Sequence, residues 1–223
     1  MISVSTALSI NSTIKEINMY QSEVRTRGRI STKLLKGNQK APLLWKIGNI
    51  LRPHYLWMAF TYYAAKLFSA ITNIVTMEAR LFAKVMKKNG QTFDYGVVSH
   101  GLVTTAFVNF MVDQMQTETS QWGDFKYHDS GVGTTGAAVG DTDIETTDGE
   151  SRATGTQTEG ASANIYKSVG TISYTSTKAI TEHGLFSQST GTTLLDRHTF
   201  SAINVENGDS IEFTYELTVS SGG

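Results

Sequence analysis

Three textures of apolar and polar positions succeed one another along the chain. The first forty residues are polar, basic and nearly aperiodic, which predicts an extended arm. Pro42, Gly48 and Pro53 punctuate the next stretch, and after Pro53 an apolar run begins. Leu56, Phe60, Tyr63, Leu67, Ile71, Ile74, Leu81 and Val85 recur at mostly three- and four-residue steps, the signature of one helical stripe. Asn89 and Gly90 supply a stop, and Lys84, Lys87 and Lys88 fall in a last turn, where cations suit the helix dipole. The spacing predicts a helix over 54–88, about 34 residues and roughly 50 Å long.

A second helix is expected after Gly101, where Val103, Ala106, Phe107, Phe110, Met111 and Met115 share one face and Thr104 or Thr105 lies in the first turn. It should pack one face on the β-domain. From Trp122 the texture turns to Gly, Thr and Ser with short β-type runs at 125–128, 163–177, 179–187, 192–200 and 210–220, while 132–161 reads as a polar, flexible connection. The last run is the clearest: Ile211, Phe213, Tyr215, Leu217 and Val219 alternate with polar residues, so one face is buried and one is wet. Turn signals at Ser189-Thr190-Gly191 and Asn207-Gly208-Asp209 separate the runs as in an antiparallel sandwich or barrel. The expected fold class is α+β: a basic N-terminal arm over 1–53, a helical region over 54–120 and a β-sandwich domain over 121–223. Ile180, Leu185, Phe186, Leu194, Leu195, Phe200, Ile203 and Val205 are expected to form much of its core.

Charge sharpens that division. The net charge of −1 conceals +11 in residues 1–90 and −12 in residues 91–223. The two parts therefore face different surroundings, and an acidic neighbour is the expected partner of the basic part. Arg25, Arg27, Arg29, Lys33, Lys36 and Lys40 are the candidate anchor residues. No aromatic residues interleave those charges as base-stacking surfaces would require, which argues against nucleic acid as the partner. Lys66 and Asn73 interrupt the apolar stretch at 54–77, which argues against a membrane span. The chain has no cysteine, which removes disulfide frameworks and thiolate metal sites. The first twenty residues lack a basic segment followed by an apolar run, so no signal peptide is expected.

Little in the sequence suggests catalysis. Gly131, Gly133 and Gly136 form a literal G-x-G-x-x-G, but a polar run follows where a nucleotide site would open a helix. Asp141, Asp143, Glu145 and Asp148 lie close enough in sequence to offer a weak calcium site, though the spacing departs from an EF-hand. The histidines never fall in HxH or HExxH spacing; His183 and His198 lie on separate expected strands and could become neighbours. No nucleophile elbow or phosphate-binding loop is present. The expectation is a protein without cofactor or enzymatic activity.

Six phrases carry a resemblance over about residues 95–223: DYGVVSHGLVTTAFVNFMVD, FKYHDSGVGTT with AVGDT, RATGTQTEG, AITEHGLFS, TLLDRHTFSAINV and GDSIEFTYELTV. Together they resemble a family of small virion proteins of tailed bacteriophages frequent among uncultured aquatic phages, and the strand phrases are also similar to modules of phage tail-fibre and collar proteins. The resemblance does not extend to residues 1–90. It implies a virion structural protein, assembled in the host cytoplasm, with other virion proteins as partners, above all the major capsid protein, and self-association in a homo-oligomer. A capsid decoration or cement role is the first expectation, with the basic region clamping the shell. A tail, collar or head–tail connector component is the second. A host-glycan module, stacking sugars on Trp122, Tyr127, Tyr166, Tyr174 and Tyr215, is the third.

Overall fold

The structure is a computed structural model that describes residues 38–69, 75–116, 122–191 and 193–220. In chain order its elements are β1 (Asn38–Lys40), α1 (Leu43–Ile50), α2 (Pro53–Ser69), β2 (Thr76–Met86), β3 (Thr92–His100), β4 (Leu102–Val103) and α3 (Thr105–Met115). A 3₁₀ turn at Trp122–Asp124 leads into β5 (Tyr127–Gly131), β6 (Ala153–Thr154), β7 (Thr156–Glu159), β8 (Ile165–Ser173), β9 (Lys178–Phe186), β10 (Leu194–Val205) and β11 (Ser210–Ser220).

Two sheets pack over one core. The first runs β1-β3-β2-β11-β8-β7 and the second β4-β10-β9-β5-β6. All neighbours are antiparallel except β1 and β3. The chain is thus α+β and sheet-rich. The alternating last strand is β11, paired along its length with β2 on one side and β8 on the other. Its inward residues Ile211, Phe213, Tyr215 and Leu217 are buried, as the period of two requires. All eight expected core residues are buried. Phe186 and Leu194, however, join Ile144 in a smaller cluster apart from the main one.

The helix expected over 54–88 is overturned in its second half. α2 ends at Ser69, and Thr76–Met86 is a strand near the middle of the first sheet. Leu81 and Val85 stand four residues apart, a step that fits a helical face and an even strand period equally well. The residues between them decide the matter: Ala79, Leu81, Ala83 and Val85 are all buried, a period of two. Asn89-Gly90 is then a hairpin turn between β2 and β3, with Gly90 at φ +84° and its N–H donating to the Lys87 carbonyl at 2.7 Å. Two long strands therefore occupy part of the expected 54–120 helical region and complete the sheet made by the later strands. The second helix does form, with Thr104 as N-cap accepting from the Phe107 N–H at 3.2 Å. Phe107 and Phe110 pack edge-on against Phe125, with centroids 5.0 and 4.9 Å away.

The β2–β11 pairing also changes the meaning of the charge split. Arg80 meets Glu216 at 2.8 Å, Lys84 stands opposite Glu212, and Lys87 meets Asp209 at 2.6 Å. Part of the basic first half is thus neutralised by the acidic second half of the same chain.

Candidate functional site

Of the expected anchor residues, Arg25, Arg27, Arg29, Lys33 and Lys36 lie outside the described residues. Lys40 is exposed at the end of β1. Directly after it, α1 and α2 present an apolar face to solvent. Amphipathic helices normally turn such a face inward, and here each helix does have a second, inward face. Asn49 of α1 is buried, donating to the Val98 carbonyl at 2.8 Å and accepting from the Ser201 N–H at 2.8 Å. Met58 anchors α2. The outer face retains Leu44 at 83% exposure, Trp57 at 62%, Phe60 at 65%, Tyr63 at 64% and Leu67 at 68%. Contiguous apolar exposure of this kind marks an interaction surface.

Beside it lies a small cleft. Tyr55, Tyr62 and Tyr63 close round His100, with ring centroids 5.7, 4.6 and 6.2 Å away, and Lys66 and Arg80 complete the lining. Its volume of 260 Å³ is below the roughly 300–1,000 Å³ of ligand pockets. Burial lowers the His100 pKa, aided by Arg80.

The acidic residues proposed for calcium do not converge. Asp141 and Glu145 turn to Arg197, at 3.0 and 3.3 Å, Asp143 lies 3.5 Å from Arg152, and Asp148 accepts from the Ser130 hydroxyl. Among the described residues no group of three or more His, Asp or Glu side chains is placed to hold a metal ion. What the residues build instead is a clasp. Buried Glu182 accepts N–H bonds from Gly133, Glu145 and Thr146 at 2.8–2.9 Å, while the Arg197 Nε donates to it at 2.9 Å. Of the 132–161 stretch expected to be a flexible connection, 132–151 is therefore tied down on the second sheet, and the remainder carries β6 and β7. Gly133 has a physical reason: a Cβ there would come within 2.4 Å of a Glu182 oxygen. At the far end Arg152 lies 3.4 Å from the Phe186 ring centroid and donates to Asp129 at 2.9 Å.

Between the sheets lies a second polar group that the sequence showed only in part. His183 and His198 do face each other in register on β9 and β10, and His128 from β5 joins them. His128 Nδ1 is 3.0 Å from His183 Nε2, and His128 Nε2 is 2.8 Å from the Ser168 hydroxyl. Asp196 lies 3.5 Å from His198 Nε2, accepts from Tyr215 at 3.3 Å, and accepts from the Leu102 N–H at 2.8 Å. Burial pushes the pKa of His128 and of His198 down to about 3, lowers that of His183 well below its ordinary value, and lifts Asp196 to about 7. The three imidazoles are neutral at pH 7. Ser168, His128 and His183 resemble a nucleophile and its base, yet all three are wholly buried, so no substrate reaches them in this conformation. The glycines were the overlooked signal: a Cβ on Gly170 or Gly155 would come within 2.5 or 2.7 Å of His128, and one on Gly101 within 2.1 Å of Asp196.

Two of the five residues expected to stack sugars are closed to a ligand, while Trp122 keeps 43% exposure. Tyr174 and Tyr215 are buried, and the Tyr166 hydroxyl is spent on the Phe125 carbonyl at 2.5 Å. Trp122 packs edge-on with Phe110, centroids 5.6 Å apart. Among the described residues no helix is long and apolar enough to cross a membrane. No family model, curated protein or solved structure matches the chain.

Proposed function

We propose that this chain is a structural protein of a tailed-phage particle, a capsid decoration or cement protein whose N-terminal part attaches it and whose β-sandwich is displayed outward. The observation that carries the reading is the contrast on one molecule: a two-sheet domain that encloses its histidine group, Asp196 and Glu182, joined to consecutive helices that leave large apolar side chains in solvent. An unpartnered apolar face on the described residues suits assembly. The basic residues at 25–40 supply attraction toward an acidic shell, and many weak contacts repeated over a lattice give avidity. The resemblance of residues 95–223 to phage virion proteins supports the same reading.

A tail, collar or connector component is the second reading, favoured by the likeness of the strand phrases to tail-fibre and collar modules. Quantitative mass spectrometry of purified particles separates the two. A copy number comparable with the major capsid protein is expected for a decoration protein. A few copies per particle would move the chain to the neck or tail, and its absence from particles would overturn the proposal.

A further inference from the structure

We infer that the outer face of α1 and α2 is where two copies of this chain meet. The stripe Leu56, Phe60, Tyr63 and Leu67 advances by four, three and four residues, the spacing that keeps side chains on one helix-packing seam. Its order is aliphatic, aromatic, aromatic, aliphatic. Read in the opposite direction it is the same pattern. In an antiparallel two-fold arrangement Leu56 therefore meets Leu67, and Phe60 meets Tyr63, so the surface is complementary to itself as an isologous contact demands.

Charge points the same way. α2 contains Lys66 but no acidic residue, and the stripe itself is uncharged. Interfaces between identical subunits are apolar and depleted of charge at their centre, whereas attachment to an acidic shell would draw on lysine and arginine. Area is sufficient. The exposed fractions of Trp57, Phe60 and Tyr63, applied to aromatic side chains of roughly 150–250 Å² each, leave about 400 Å². The exposed leucines and isoleucines of α1 and α2, at about 100 Å² for a fully buried side chain, bring the total to about 800 Å², one partner's share of a standard interface. Trp57 beside Phe60, centroids 6.1 Å apart, supplies the aromatic anchor such contacts centre on.

The inference concerns the protein free in solution and does not depend on its place on a particle. Sedimentation equilibrium of the full chain at micromolar concentrations should give a dimer or a multiple of it. Phe60→Glu with Leu67→Glu should weaken association by more than about tenfold while leaving the far-UV circular dichroism unchanged. Should that pair unfold, Trp57→Ser supplies a milder variant with the same expected direction. A monomeric wild-type chain would overturn the inference, as would an oligomer that survives the folded variants.

Discussion

The space between the sheets and the outer face of α1–α2 treat side chains in opposite ways. Between and beneath the sheets, groups that prefer water are enclosed: three histidines, Asp196, Glu182 and Arg197 are all buried, and the strands bring partners or neutrality to each. On the helices, groups that avoid water are left in it, Leu44, Trp57, Phe60 and Leu67 among them. Each region is costly by itself. The first cost is reduced within the chain, by the ion pair and N–H bonds of Glu182, by the His128 hydrogen bonds and by suppressed ionisation of the histidines. The second is not recovered within the described residues, and that difference is what the proposed assembly role of the helices rests on.

Acid should expose the difference most strongly. His128, His183 and His198 have folded pKa values far below the ordinary 6.5, so below pH 6.5 the unfolded chain binds protons that the folded chain refuses. Their contribution is fully present above pH 6.5 and is lost as pH falls below it, for His128 and His198 toward about 3. Asp196, raised to about 7, acts in the other direction: its folded form holds a proton that the unfolded form has released, which favours folding at low pH and fades as pH rises toward 7. The three histidines outnumber Asp196, so among these four groups stability falls as pH drops through the acid range. Urea denaturation across that range should show stability dropping as pH falls; a flat profile would mean that the histidines are not sealed as described.

Removing one member of the clasp is the next largest change. Arg197→Ala leaves Glu182 buried without its cation and should cost about 3–5 kcal/mol in urea denaturation, whereas a loss under 1 kcal/mol would show that the 132–151 segment is held by other contacts. Gly170→Ala places a methyl group against His128 and should cost about 1–3 kcal/mol, read by the same measurement. At the small end stands the helix face: Phe60→Glu should leave stability within about 0.5 kcal/mol while association falls. A large destabilisation there would mean that Phe60 supports the fold, and the contrast between the regions would fail.

The sequence made the strongly periodic parts legible. β11 keeps its alternation from Ser210 to Ser220, Thr104 caps α3, and the expected core residues are buried. It misled where two periods coincide: Leu81 and Val85 fit helix and strand alike, and the alanines that discriminate are weak apolar signals. It was silent where partners lie far apart in the chain. Glu182 gathers N–H groups from 133–146, and His128 faces Ser168, contacts that no local spacing encodes. The glycines at 101, 133, 155 and 170 did carry the information, because each clears room for one of those buried polar groups. The outward stripe of α2 was visible as a stripe, but periodicity alone cannot say whether a face is covered by its own chain or by another.

The proposed division between a β-rich domain and an attaching N-terminal part is tested most directly by co-sedimentation with phage particles that lack this protein. The full chain and a version lacking residues 1–37 would be compared, each checked for the same thermal unfolding. The full chain should pellet with particles in a salt-sensitive manner and the shortened chain should stay in the supernatant with its unfolding unchanged. Undiminished pelleting of the shortened chain would contradict attachment through the basic segment.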